Sequence, residues 1–127
     1  MMAPRGNCSA LTWITGARAC RTETPHLIPK HPKTLLVIVA EAVIEKALLR
    51  EARERGAQAW TVSEVRGAGR EGVREGDWEA DRTVEIKLVC ETEVADNIAQ
   101  HVLAHYASHY QVAMYFSQVA VLRPERY

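Results

Sequence analysis

Strand and helix patterns alternate along residues 34–122, and this order limits the folds open to the chain. The run TLLVIVA over 34–40 is apolar on both faces, which is typical of a central strand. Residues 41–56 carry apolar side chains at helical spacing and end at Gly56, which suits the position just past a helix. Residues 83–90 alternate between apolar and polar, so they predict a strand with one buried face. The residues predicted to face inward are Val84, Ile86 and Leu88, and those predicted to face outward are Thr83, Glu85 and Lys87.

A second helix is predicted over 92–109, with Thr92 as its N-cap. Its buried stripe is predicted to hold Val94, Ile98, Val102 and His105. Strands over 57–65 and 110–122 complete a β-α-β-β-α-β order. This order predicts an α+β, ferredoxin-like domain, in which one four-stranded antiparallel sheet carries both helices on one face. The other face then exposes apolar surface, which predicts an oligomer.

The charge balance excludes some classes of partner. The 127 residues include 16 basic and 16 acidic side chains, so the formal net charge is zero. A general nucleic-acid or membrane binder normally has a basic excess, so nucleic acid is not an expected partner. The three cysteines are Cys8, Cys20 and Cys90, and they form no C-x-x-C pair. This odd count predicts a reducing, cytoplasmic setting.

The first 33 residues differ in character from the rest of the chain. They hold four of the five prolines and one acidic residue, and they show no sustained periodicity. We expect a disordered N-terminal extension over 1–33, with a targeting peptide as the alternative, and a folded domain over 34–127.

The segment GAGREG, at 67–72, has the G-x-G-x-x-G spacing of a dinucleotide-binding turn. Such a turn needs a helix to open at the third glycine, and the charged residues that follow predict none. The segment instead belongs to a long loop between two strands, and loops of this length are often functional. Its glycines leave backbone N–H groups free to approach an anion closely. Guanidinium groups, which suit phosphate or carboxylate, are plentiful in and beside this loop: Arg66, Arg70, Arg74 and Arg82.

Two other kinds of site are weakly indicated. His101, His105 and His109 are four residues apart on one helix face, and two histidines at this spacing can chelate a divalent metal. No cysteine or acidic residue completes the set at a matching spacing, so structural histidines are favoured and no metal site is predicted. No nucleophile and base occur at a recognisable spacing, so the chain is not predicted to be an enzyme.

The segment GAQAWTVSEVRGAGR, at 56–70, resembles the G-x-x-x-x-TV-x-E-V-x-G-x-G-R segment of PII signal-transduction proteins. VEIKLVC matches the strand that follows it in that family, and the resemblance extends from about Thr34 to Arg123. The resemblance implies a homotrimer that binds adenine nucleotides in clefts between subunits. It also implies that a T-loop, at about 67–82 here, binds partner proteins.

The resemblance further implies a nucleotide site by position. The matching residues are Thr61, Val62, Gly67, Ala68, Gly69, Arg70, Arg123 and Arg126. Thr61 matches the threonine that meets the adenine, and 67–70 matches the base of the T-loop, where the phosphates lie. Arg123 matches an arginine that reaches the phosphates from the neighbouring subunit, and Arg126 substitutes for a second one.

Several departures from the family pattern narrow the expected ligand. Glu71 stands where the family has a glutamine, the loop is shorter, and ASHYQVA at 107–113 replaces a glycine-rich, lysine-bearing phosphate loop. The implied ligands are therefore AMP or ADP rather than ATP. These departures resemble the carbon-sensing SbtB and carboxysome-associated PII-like proteins, which implies bicarbonate as a second ligand and a membrane bicarbonate transporter as partner. The arginines expected to hold such an anion are Arg66, Arg70 and Arg74. The alternatives are a metal-linked trimer of CutA type and a nitrogen-regulatory PII protein.

Overall fold

The structure of the protein, a computed structural model, describes residues 27–69, 72–74 and 82–127. These residues form six β-strands and two α-helices. The strands are β1 (His31–Glu41), β2 (Trp60–Val65), β3 (Gly67–Gly69), β4 (Gly72–Arg74), β5 (Thr83–Cys90) and β6 (Val112–Val121). The helices are α1 (Glu45–Glu54) and α2 (Thr92–His105), and short 3-10 helices span Ala42–Ile44 and Pro124–Arg126.

Four of the strands form one antiparallel sheet in the order β2-β5-β1-β6. β1 is central, with β5 and β6 on its two sides, and β2 pairs with β5. This topology confirms the predicted ferredoxin-like fold. β3 and β4 pair separately as a short hairpin, which was not predicted.

The bounds of β5 agree with the prediction, but those of other elements differ. β1 begins at His31 rather than at 34, because its first residues continue the ladder to β6. Lys33 in this extra stretch is buried and its Nζ lies 2.5 Å from Oε2 of Glu91. α2 ends at His105, and a hydrogen-bonded turn follows it in place of the predicted last helical residues. The predicted extension falls mostly on 1–26, which lies outside the described residues.

One face of the sheet packs against both helices and forms the core. On β1 and β5 the side chains of this face occupy alternate positions: Leu36, Ile38, Ala40, Val84, Ile86, Leu88 and Cys90. The helices contribute Leu48 and Ala52 from α1 and Ala95, Ile98, Ala99 and Val102 from α2. Burial of these apolar side chains is the main stabilising contribution to the fold. Burial also raises the pKa of the Cys90 thiol, and the charge of Glu91 raises it further.

Two predictions about α2 are wrong. His105 is exposed, and Ala95 and Ala99 are buried instead, because the buried stripe runs along a slightly different line of the helix. Thr92 makes no N-cap bond; its Oγ1 lies 2.8 Å from Oγ1 of Thr34 on β1. This hydrogen bond ties the first turn of α2 to the central strand.

Gly56 lies just past the end of α1, as predicted. Its φ is 114°, a left-handed conformation that residues with a Cβ rarely adopt. A Cβ at this position would also lie 3.3 Å from a methyl group of Val94 on α2. The glycine therefore allows both the change of direction into β2 and close packing against α2.

The second face of the sheet carries neither of the described helices. The register places Leu35, Val37 and Val39 of β1 on this face, because they alternate with the core residues. Tyr115, which pairs with Val37, keeps 53% of its surface exposed. Part of the apolar surface predicted for this face is therefore present, in Leu35, Val39 and Tyr115, whereas Val37 is buried. None of the described helices is long and apolar enough to span a membrane.

Candidate functional site

Thr61 lies near the middle of the edge strand β2 and is exposed. It pairs with Lys87 on β5, so both side chains are on the helix-free face of the sheet. Val62, the next residue, pairs with Ile86 and packs against the core. A ligand beside β2 can therefore reach the side chain of Thr61, whereas Val62 offers it backbone groups.

Thr61 and three other polar side chains form a square on the adjacent strands β2 and β5; we call it the polar square. Thr61 is opposite Lys87, and Ser63 is opposite Glu85. Nζ of Lys87 lies 3.7 Å from Oε1 of Glu85, and the Lys87 side chain is 52% exposed. The square combines two hydroxyl groups with one cation that donates hydrogen bonds and one anion that accepts them. A nucleotide base, which carries donors and acceptors on one edge, can be bound by such a set.

The sequence predicted that Lys87 and Glu85 face outward but did not place them in a site. Their alternation with Ile86 and Leu88 determines the face. Their position beside Thr61 depends on the pairing of β2 with β5, two strands that are separated along the chain by the whole loop. No local sequence pattern specifies the register between these two strands.

The glycine-rich segment begins directly after β2. Gly67 and Gly69 pair with β4 as the first strand of the hairpin, and Ala68 between them is exposed. A Cβ built on Gly67 would find no atom within 4 Å in the described part of the chain. This space is compatible with the close approach of a ligand to the backbone. Arg66 is exposed at the start of the segment.

Arg70 lies outside the described residues, and for Arg74 the structure describes the backbone in β4. At the exit of the loop, the guanidinium of Arg82 pairs with the carboxylate of Glu64 on β2. The carbonyl oxygen of Arg82 also accepts a hydrogen bond of 2.8 Å from the backbone N–H of Ala42. These contacts fix the exit of the loop beside the junction of β1 and α1.

Arg123 and Arg126 lie at the opposite end of the sheet from the glycine-rich segment. Arg123 follows β6, whose last residue, Val121, pairs with the first residue of β1. Gly67 follows β2, whose last residue pairs with Thr83 beside the last residue of β1. The ladder of ten pairs between β1 and β6 is about 30 Å long at ~3.3 Å per residue. One chain therefore cannot bring Arg123 to the segment at 67–69.

Both C-terminal arginines are exposed. Nε of Arg123 lies 3.2 Å from Oε2 of Glu125, and the two side chains are 67% and 63% exposed. An exposed ion pair of this kind contributes little to stability. The guanidinium groups of Arg123 and Arg126 are accordingly accessible to an anion.

The turn between α2 and β6 contains a carboxylate contact. The backbone N–H of Gln111 donates a 2.7 Å hydrogen bond to Oε2 of Glu41, at the end of β1. An N–H that holds a carboxylate is not available to a phosphate, and the charge of Glu41 repels one. The N–H of Gln111 therefore does not contribute to anion binding at this turn.

The histidines of α2 are engaged in contacts within the chain. Both ring nitrogens of His101 have partners, at 2.6 Å from Oε1 of Glu51 and 2.8 Å from Nη2 of Arg55. Nδ1 of His105 lies 3.0 Å from the carbonyl oxygen of His101, and His109 is exposed in the turn. Among the described residues, no group of three or more metal-ligating side chains is arranged to hold an ion.

The fold and the segment at 61–69 place the chain in a known class. The family described as nitrogen regulatory protein P-II matches residues 33–126. A PII-like signalling protein of Thermus thermophilus is 35% identical, with a TM-score of 0.69, over 79% of this chain and 99% of that one. The chain therefore belongs to the P-II family, whose members are regulatory proteins.

More distant solved structures share the fold. CPII of Thiomonas intermedia, a nitrogen regulatory PII-like protein bound to ADP, AMP and bicarbonate, has a TM-score of 0.71 at 19% identity. That match covers 79% of this chain and 97% of the Thiomonas protein. A second structure of CPII, bound to ADP and bicarbonate, gives a TM-score of 0.70 at 18% identity, over 79% of this chain and 98% of that one. No match was found among the curated proteins.

Proposed function

We propose that the protein is a homotrimeric sensor that binds AMP or ADP in clefts between its subunits. One observation carries this proposal: the residues matched to the nucleotide site lie at opposite ends of the sheet in one chain. The segment at 67–69 is near one end and Arg123 is about 30 Å away at the other, while Thr61 lies between these levels on the edge strand β2. Two chains can complete the site if the Arg123 end of one lies against the β2 edge of the next.

The helix-free face of the sheet is the surface that we assign to assembly. Its centre is apolar, with Leu35 and Val39 of β1 half-buried and Tyr115 of β6 exposed. Its polar square, around Thr61, lies to one side on β2 and β5. Packing of the apolar part against other copies leaves the polar square at the border, where a cleft between subunits forms.

The proposed preference for AMP and ADP over ATP follows from the turn that precedes β6. Gln111 uses its N–H to bind the carboxylate of Glu41. A third phosphate placed near this turn would gain no backbone donor there and would meet a negative charge. Shorter phosphate chains avoid this repulsion, while Arg123 remains available to them.

We further propose bicarbonate as a second ligand and a membrane bicarbonate transporter as partner, with the protein itself cytoplasmic. The support is the fold shared with CPII, which binds bicarbonate, together with the arginines Arg66, Arg70 and Arg74 of the loop. A small anion beside the nucleotide would change the charge at the loop base. In this carbon-sensing role the 67–82 loop binds the partner in one ligand state and not in another, so the protein regulates rather than catalyses.

Isothermal titration calorimetry with AMP, ADP and ATP, each with and without bicarbonate, tests the proposal. We expect AMP and ADP to bind more tightly than ATP, and bicarbonate to change the affinity for at least one nucleotide. Arg123→Ala is expected to weaken the binding of ADP more than the binding of AMP, because it removes a contact to phosphate and ADP carries one more phosphate group. His105→Ala is the matched control, since His105 is exposed on α2 and distant from the sheet edge. If none of the nucleotides binds at about 1 mM, every binding free energy is weaker than about −4 kcal/mol, and this result would contradict the sensor function.

A further inference from the structure

A cluster of polar side chains joins α1 to α2 on the outer side of the molecule, away from the proposed nucleotide site. We call it the Glu51 cluster; its members are Arg50, Glu51, Arg55, His101 and Tyr106. Glu51 and His101 are 19% and 16% exposed. The PII resemblance and the nucleotide site do not require these residues, so the cluster calls for its own explanation.

Glu51 is the acceptor at the centre of the cluster. One carboxylate oxygen lies 2.6 Å from Nε2 of His101, and the other accepts 2.9 Å and 3.2 Å hydrogen bonds from Tyr106 and Arg50. Burial by itself raises the pKa of Glu51, but the hydrogen bonds from His101 and Tyr106 outweigh it, and the pKa is lowered. Glu51 is therefore ionised at neutral pH and needs donors around it.

The position of the proton on His101 follows from its two neighbours. A guanidinium can donate but cannot accept, so Nδ1, 2.8 Å from Nη2 of Arg55, must carry a lone pair. Nε2 then carries the hydrogen and donates it to Glu51. His101 is thus a neutral imidazole that bridges an anion and a cation, and its tautomer is determined by both.

Adding a proton changes one side of this bridge and leaves the other intact. The new proton goes to Nδ1, where it meets the N–H of Arg55, so two donors and two positive charges face each other. The Nε2–H bond to Glu51 persists and becomes an ion pair. We propose that His101 is a proton-sensitive joint, in which protonation ejects the guanidinium of Arg55 while α2 stays bound to Glu51.

The surrounding charges leave this direction unchanged. From α1, the facing groups are Arg50, Glu51 and Arg55; from α2 and the turn after it, they are His105, Tyr106 and Tyr110. The His105 ring, with its centroid 4.2 Å from that of His101, donates a 3.0 Å hydrogen bond through Nδ1 to the carbonyl oxygen of His101. Among these groups Glu51 is the strongest acceptor, and it is on the Nε2 side.

Release of Arg55 would act at the corner between α1 and β2. Arg55 is the last residue of the helical turn, directly before Gly56. The same guanidinium donates a 3.2 Å hydrogen bond from Nη1 to the carbonyl oxygen of Glu51, so ejection disturbs this contact at the end of α1 as well. The joint therefore makes the end of α1 respond to protonation of His101.

A double-mutant cycle at two pH values tests the proposal on the full chain without any ligand. The variants are Arg55→Met, His101→Ala and the double variant, unfolded by denaturant at one protein concentration at about pH 8 and about pH 5. At the higher pH we expect a coupling of about fivefold or more in the unfolding equilibrium constant. At the lower pH we expect the two effects to multiply to within about twofold, as for independent sites. A coupling that persists at the lower pH would overturn the proposal.

The matched control is the cycle of Arg55→Met with Lys46→Met, which should show no coupling at either pH because Lys46 is exposed on α1 and is not a member of the Glu51 cluster. If His101→Ala fails to fold, nitrogen NMR of the unmodified protein decides the question. The expected result is hydrogen on Nε2 of His101 at about pH 8, and Arg55 side-chain signals that shift with the same midpoint as His101. Hydrogen on Nδ1 at that pH, or Arg55 signals that ignore the titration, would contradict the joint.

Discussion

Among single residues, Glu51 binds three side chains through one carboxylate: those of Arg50, His101 and Tyr106. Its lowered pKa means that ionised Glu51 stabilises the fold above the pKa of an unfolded glutamate, about 4.5, and that this contribution is lost as the pH falls through the folded value. Glu51→Gln should reduce the free energy of unfolding by about 1–3 kcal/mol at neutral pH, since hydrogen bonds to a charged acceptor are lost. Denaturant titrations over a pH series check this.

The pH series of denaturant titrations also tests whether the charge of Glu51 accounts for the loss of stability. The gap between Glu51→Gln and the unmodified protein should begin to shrink as the pH falls below about 4.5, and it should close below the lowered pKa of folded Glu51, where both proteins carry an uncharged side chain. A gap that stays constant down to acid would show that shape rather than charge accounts for the loss. Glu54→Gln, on the same helix and exposed, is the control and should change stability little.

Lys87 is proposed to bind the nucleotide because it lies opposite Thr61 on the neighbouring strand. If its ammonium donates to the nucleotide base beside Thr61, Lys87→Met should weaken AMP and ADP by the same factor, about tenfold or more, because both ligands carry the same base. Calorimetry with both nucleotides measures this. Lys46→Met, exposed on α1, is the control, and unchanged affinities in Lys87→Met would remove Lys87 from the site.

At the scale of elements, Gly56 and Gly67 have different roles, the first structural and the second proposed for ligand binding. Gly56 has a positive φ and packs against Val94, whereas Gly67 is in a strand with open space around it. Gly56→Ala should cost about 1–3 kcal/mol in unfolding free energy, and Gly67→Ala well under 1 kcal/mol. Gly67→Ala should instead weaken nucleotide binding, because a methyl group would occupy space proposed for the ligand.

Thermal unfolding and calorimetry of the same two variants separate the roles. Equal loss of stability in both would mean that Gly67 is structural. Normal nucleotide affinity in Gly67→Ala would mean that the ligand does not approach this part of the backbone. The contrast also shows which glycine a sequence can explain. The end of a helical pattern predicts the position of Gly56, but no pattern around Gly67 indicates the hairpin of β3 and β4.

Elements with regular periodicity were predictable, and irregular ones were not. β5 has the predicted bounds, since its alternation of Val84, Ile86 and Leu88 with polar residues has one interpretation. The stripe of α2 was predicted correctly at Val94, Ile98 and Val102, but His105 was included wrongly and Ala95 and Ala99 were missed, because alanines count weakly as apolar residues and histidine can be buried or exposed. Ala95 and Ala99 are buried because β1 and β5 approach α2 closely there, which is a property of packing.

At the scale of the whole molecule, the proposed site requires two chains, and mixed trimers test this directly. Arg123→Ala and Lys87→Met alter opposite sides of the proposed cleft, so a trimer of either variant has three defective sites. A trimer with both variants contains one cleft whose two sides are unaltered. Coexpression should therefore restore up to one high-affinity nucleotide site per mixed trimer, measured by calorimetry on trimers purified through two different tags.

Two results would count against this arrangement. If mixed trimers bind nucleotide no better than the trimers of either single variant, Arg123 and Lys87 do not form a shared site from two different chains. A monomer in sedimentation equilibrium at about micromolar concentration would remove the assembly itself. As a control, coexpression of two chains that both carry Arg123→Ala should restore no binding.

The sequence by itself determined the order of the elements, the buried face of β5, the glycine at the end of α1 and the membership of the segment at 61–69 in a PII-like pattern. These are local properties, because periodicity and turn chemistry depend on residues a few positions apart. Only the tertiary structure decided that Lys87 lies beside Thr61, that Glu51 binds His101 from 50 positions away, and that Arg123 is at the far end of the sheet. Such contacts depend on strand register and on packing across the core, which no stretch of the chain specifies alone.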